Sequence, residues 1–139
     1  MKTIKEEMIK EYKLKKLGFD FMGYKFNNVA DLSFHHLIVP KKDSERMGIG
    51  DGYLKWNGAI LKQDTSHNYL HLIQRLDNEI FLKISYQMIE ENFKGYIDIE
   101  NLKKIRDMLI YFEKEHQCDK DKKGRVLIKR EYLYDRIEL

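Results

Sequence analysis

Residues 33–73 read SFHHLIVPKKDSERMGIGDGYLKWNGAILKQDTSHNYLHLI and hold four of the chain's five histidines. These form two close pairs, His35-His36 and His67-x3-His71, with Asn57 between them. Side chains four apart on a helix share one face, so the imidazoles of His67 and His71 can reach a common point. That is the spacing of metal ligands. Successive side chains on a strand leave opposite faces, which gives His35 and His36 separate tasks. A metal centre with a base beside it would use both arrangements.

Local patterns around the histidines predict how they are carried. Leu32 to Val39 is an apolar run broken only by Ser33 and the two histidines and stopped by Pro40, the single proline, which predicts a first strand. Residues 41–52, KKDSERMGIGDG, hold three glycines among charged residues without apolar periodicity, so an exposed loop that touches substrate is expected there. Tyr53 to Leu61 resumes an apolar pattern around Trp56 and Asn57 and predicts a second strand, antiparallel to the first. Asp64, Thr65 and Ser66 offer capping oxygens for a helix that carries His67 and His71 on its opening turns, with Asp64 the preferred cap.

Outward from this core the chain reads as scaffold. Ile4, Met8, Ile9 and Tyr12 make one stripe of an N-terminal helix over residues 3–16, with Gly18 as its stop. Phe19 to Phe26 is aromatic with Gly23 inside it and suits a strand or extended arm, and Asn27-Asn28 suits a turn. Asp77 opens a helix with Ile80, Phe81, Ile84 and Met88 on its buried face, ending near Gly95. Asp98 caps another with Leu102, Ile105, Leu109 and Phe112. Gln117 to Gly124 reads as a charged loop, and Val126 to Leu139 as a last amphipathic helix. The expectation is a single α+β domain over 1–139, with a core at about 32–73 and a helical scaffold at about 77–139.

Cutting a phosphodiester needs a water made nucleophilic, a cation to offset charge on the phosphorane, and help for the leaving oxygen. One divalent ion and one imidazole can supply all three, provided the tautomer of the imidazole is fixed by a partner such as an asparagine or backbone carbonyl. In its order HH, N, H-x3-H the chain resembles the HNH nucleases of the ββα-metal (His-Me finger) class, especially the colicin-type nuclease domains. FHHLIVP followed by NGAIL and SHNYLH is also similar to small stand-alone HNH proteins of phages and prophages. The resemblance covers about Leu32 to Ile73.

It implies a β-hairpin packed on a helix with one cation between them. By the same resemblance His35, His67 and His71 are the metal ligands, His36 is the general base, and Asn57 orients the loop that bears the base. The implied activity is metal-dependent endonucleolytic cleavage of DNA; an RNA-directed nuclease would differ only in substrate. The alternative is a catalytically degenerate module that binds protein or nucleic acid and keeps a structural metal. The interval from Asn57 to His67 is one residue longer than the usual family spacing, so a bulge must absorb the insertion if the ligands are to stay in place. No arginine near the HH pair matches the family's phosphate clamp. Lys41, Lys42, Arg46, Lys55 and Lys62 are the cations available for nucleic-acid contact. Imidazole ligands suit zinc, nickel or manganese, whereas magnesium prefers oxygen and would need water and substrate to complete its shell.

Composition sets bounds without naming a partner. Hydrophobic residues at 42% with 12% aromatics predict a packed globule, and 35% charged residues a wet surface. The 26 Lys and Arg against 23 Asp and Glu leave +3, which permits polyanion binding without requiring it. One cysteine, Cys118, excludes an internal disulfide framework and a paired-cysteine zinc knuckle, and predicts a reducing, cytoplasmic setting. No apolar run approaches the roughly 20 residues that span a bilayer, and the lysine-rich start lacks the apolar region of a signal peptide.

Three further features have structural readings. Trp56 is expected as a core anchor, His116 as a partner of its helix's C-terminal dipole, and Lys13, Lys15 and Lys16 as a solvated face. The basic segment 120–130, KDKKGRVLIKR, could track a phosphate backbone or be solvated, and the sequence leaves both open.

Overall fold

The structure is a computed structural model and describes residues 3–48 and 55–139. It mixes helix and strand around a two-stranded antiparallel hairpin, β1 (Leu32–His36) and β2 (Gly58–Lys62). His35 pairs with Ala59 and His36 with Gly58. β1 is shorter than the predicted 32–39 run because the side chain of Asn57 takes the amides of Ile38 and Val39. Gly58 to Leu61 of the second predicted strand is confirmed, Lys55–Asn57 forms a one-turn 3-10 segment, and Tyr53 and Leu54 lie outside the described residues.

The N-terminal helix is broken where one was expected to run through. α1 (Ile4–Glu11), capped by Thr3, ends at Tyr12, and α2 (Leu14–Leu17) restarts after Lys13, whose φ of 55° is left-handed. Tyr12 and Leu14 are both buried. Residues two apart on a continuous helix diverge by about 200°, so only a break lets both reach the core. Phe19 to Phe26 is likewise no regular strand. Asp20 accepts from the amides of Met22 and Tyr24, curling the chain into a tight turn closed by the Phe19–Lys25 bridge. Asn28 caps a 3-10 turn over Val29–Asp31 that leads into β1.

Residues 41–46, expected as loop, form α3 (Lys41–Arg46); the carbonyl of Pro40 accepts the amide of Asp43 and opens it. Residues 49–52 of the same expectation lie outside the described residues. After β2 the chain makes a single π-helical turn, Gln63–His67, and continues as α4 (Asn68–Leu76). No side chain caps either segment, so Asp64 is not the cap expected of it.

Asp77 then caps α5 (Asn78–Lys94), which ends on left-handed Gly95, and Asp98 caps α6 (Ile99–His116), both as predicted. The last amphipathic helix is reduced to α7 (Arg130–Tyr134), because the backbone beyond it pairs with the Asp20 turn: Ile137 donates to Gly23 and Lys25 to Asp135. One core cluster takes in Met8, Phe21, Ile60, Ile73, Ile84 and Leu109, from both ends of the chain and its middle. Among the described residues no helix is long and apolar enough to cross a membrane.

Candidate metal centre

Strand alternation puts Ser33 and His35 on one face of β1, toward the π-turn and α4, and Phe34 and His36 on the other. His35 meets His67 and His71 there, with ring centroids 4.8, 4.9 and 5.0 Å apart for the three pairs. One ligand-capable atom from each residue lies within 4.8 Å of the others. The helix supplies two of them because His67 closes the π-turn and His71 follows one turn later. The π-turn spaces the chain between β2 and α4 so that His67 enters the helix on the face that His71 shares.

The environment suits these rings to bind a cation. Burial, then the neighbouring His67, His71 and His36, push His35 down to about 2. Burial, then His71 and His36, push His67 down to about 4. Partial burial and Arg75 lower the more exposed His71. His35 and His67 are thus neutral at pH 7, and a neutral imidazole presents a lone pair to a metal. His35 is 4% exposed, and its Nε2 is buried with no hydrogen-bond partner. That nitrogen is an orphaned buried acceptor of the kind a cation held by the three histidines would satisfy.

Around the triad, Nδ1 of His67 sits 2.5 Å from Ser33 Oγ and 3.0 Å from Gln63 Oε1, which leaves Nε2 as its ligand atom. Behind it, Asp20 is fully buried and accepts from four donors. Met22 and Tyr24 amides approach one oxygen at 2.9 and 3.0 Å; the Lys62 amide, at 2.8 Å, and the Ser66 hydroxyl reach the other. Burial pushes the Asp20 carboxyl up and the four donors oppose it. Asp20 therefore ties the N-terminal turn to the end of β2 and to the π-turn that presents His67.

His36 is half-buried and stands outside the triad, edge-on to Phe34 at 5.1 Å. It nevertheless opens on the same cleft as the triad, a space of about 400 Å³ also lined by Gln74, Asn78 and Phe81. Asn57 is fully buried. Its Oδ1 accepts from Ile38 and Val39 at 3.1 and 2.9 Å, its Nδ2 donates to Val39 O at 2.8 Å, and its own carbonyl accepts from Leu37 at 2.8 Å. Asn57 thus pins the three residues that follow His36. Asn92 of α5 donates to Gly58 O at 2.7 Å and holds the other side of the turn.

The remaining predicted residues fall elsewhere. Lys55 pairs with Glu11 at 2.6 Å and Arg46 with Asp43 at 3.6 Å, Lys42 is exposed, Lys62 is half-buried with its amide on Asp20, and Lys41 begins α3. Trp56 is 39% exposed and is no core anchor. His116 is held by Asp119 at Nδ1 and faces Asp77 3.6 Å from Nε2, away from the centre. Sequence reasoning passed over Ser33, Gln63 and Asp20 as parts of the site. Compared with protein-family models, with curated proteins and with solved structures, the chain matches none.

Proposed function

We propose that this protein is a divalent-metal-dependent endonuclease of the HNH, ββα-metal type. What supports the reading most is one arrangement: neutral imidazoles from a hairpin and from the helix after it converge within 4.8 Å, beside a further histidine whose loop is pinned by a buried asparagine. His35, His67 and His71 would hold the ion. When bound, it supplies the positive charge that offsets the phosphorane and the leaving oxygen. Three protein ligands would leave coordination positions open to water and phosphate, as a catalytic site requires.

His36 takes the proton of the attacking water on its imidazole. Asn57 keeps His36 at the cleft by fixing residues 37–39, a positioning task. Ser33 and Gln63 hold the His67 ring by Nδ1, which would leave Nε2 to bind the ion. The DNA strand is the substrate of this reading, and RNA is its competitor.

Plasmid incubated with zinc, nickel, manganese or magnesium tests it. Nicking should require an ion, stop on adding chelator, and be abolished in His36→Ala with the metal still bound. Nicking that survives either change defeats the assignment. The burial of His35 favours one other reading, a structural metal that staples hairpin to helix in a binding module. In that case metal raises the melting temperature and no nucleic acid is cut.

A further inference from the structure

Residues 120–130 take no part in the centre described above. They carry six Lys or Arg against one Asp, a net of +5 in a chain whose total is +3, so everything else sums to −2. Charge so concentrated directs a field at one region of the surface. That region adjoins the metal centre. The segment packs beside α4, where a groove of about 520 Å³ runs between His71 and Arg75 on one wall and Arg125 and Lys129 on the other. His71 also lines the cleft of the triad, so the two depressions meet across one imidazole.

The turn holds its cations outward. Asp121, its one acid, accepts the amides of Lys123 and Arg125 and the Nε of Arg125, each at 2.9 Å. Those bonds shape the turn, and the Arg125 side chain remains 72% exposed. Arg75, one helical turn past His71, has no acidic partner among the described residues, and neither has Lys129. Guanidinium forks match phosphate oxygens bidentately, and lysine adds a point charge. A concave row of such groups fits a narrow chain of repeating negative charge better than a flat lipid surface.

We infer that a nucleic-acid strand lies in this groove, its phosphates on Arg75, Arg125 and Lys129, and continues across His71 into the cleft of the triad. The destination of the strand rests on the nuclease reading; its binding does not. The test compares Arg75→Gln/Lys129→Gln with Lys15→Gln/Lys16→Gln, which removes the same charge from exposed lysines of α2. Anisotropy of a fluorescein-labelled DNA duplex is read under chelator, so that no metal-dependent cutting occurs, at several salt concentrations, with circular dichroism confirming the fold.

The groove variant should lose about tenfold or more in affinity, and its log–log salt slope should fall by about 2. The α2 variant should change affinity by no more than about twofold, the limit expected for charge outside the contact surface. Should the double variant not fold, Lys129→Gln alone should lower the slope by about 1. Equal losses in both variants, no loss in the groove variant, or no binding by the unaltered protein overturn the inference. Binding that depends on Arg75 and Lys129 in a protein that cuts nothing with any ion sinks the nuclease reading and leaves this surface standing. Cleavage by a protein whose binding ignores those residues does the reverse.

Discussion

Ser33 decides which nitrogen of His67 faces the cleft. Its hydroxyl proton goes to Leu61 O at 3.3 Å, so its oxygen accepts from Nδ1, and Gln63 Oε1 can only accept. Nδ1 therefore carries the proton and Nε2 the lone pair. Ser33→Ala should weaken metal binding about tenfold, and adding Gln63→Ala about a hundredfold in all; competition against a chromophoric chelator measures both. Asp20→Asn is a second test. An amide can match the two donors on one side of Asp20, but its NH2 then opposes the other two. The substitution should cost about 1–3 kcal/mol in denaturant unfolding, and metal affinity should fall with it as the π-turn loosens. Ser33 and Gln63 were legible in principle, since i, i+2 on a strand and i, i+4 on a helix place them beside His35 and His67. Asp20 was not, because FDFMGYKF gives no hint that its partners stand at positions 62 and 66.

Gly58 shows why the hairpin admits its own site. An added Cβ there would stand 2.1 Å from the Phe34 ring, which in turn contacts His36. Gly58→Ala should drive Phe34 toward His36 and cost about 1–3 kcal/mol of stability. Adding Phe34→Ala should restore part of the stability if the ring is the obstacle, and thermal melts of the three variants decide it. The long elements were the legible ones: α5 and α6 have acidic caps, a glycine stop after the first and unbroken apolar stripes, all local signals. The antiparallel pairing of the two strands was legible in their apolar runs, but their register, His35 on Ala59 and His36 on Gly58, was not. The break at Lys13 and the loss of the last helix were not legible, because each answers to a partner far along the chain: the shared core of Tyr12 and Leu14, and the pairing of residues 135–137 with 23–25. The π-turn before His67 was not legible, because no local signal in QDTSH separates it from an ordinary helix start.

At the scale of the whole molecule, the basic excess was visible in residues 120–130, but its place beside His71 depended on how the C-terminal segment returns to α4. The same return packs Tyr132 flat on Tyr69, and Arg136 on Glu113 at 2.6 Å. On the helical side Glu91 of α5 is fully buried against α6, and its Oε2 accepts the Asp98 amide at 2.7 Å. Burial, partly opposed by that amide, Asn101 and Lys94, pushes its carboxyl up to about 7 from 4.5.

A folded value above the unfolded one means that the native state holds the proton more tightly. The stability this group contributes is then fully present below pH 4.5, declines as pH rises, and is lost once pH passes about 7. The lowered histidines act in the opposite sense below 6.5, but they are common to wild type and variant and cancel in a comparison. Glu91→Gln keeps an acceptor for Asp98 and never ionises. Its melting temperature should match wild type near pH 4.5 and exceed it by roughly 5 °C at pH 8. Metal-free melts across that range measure the difference; a gap that stays constant with pH would place the proton elsewhere.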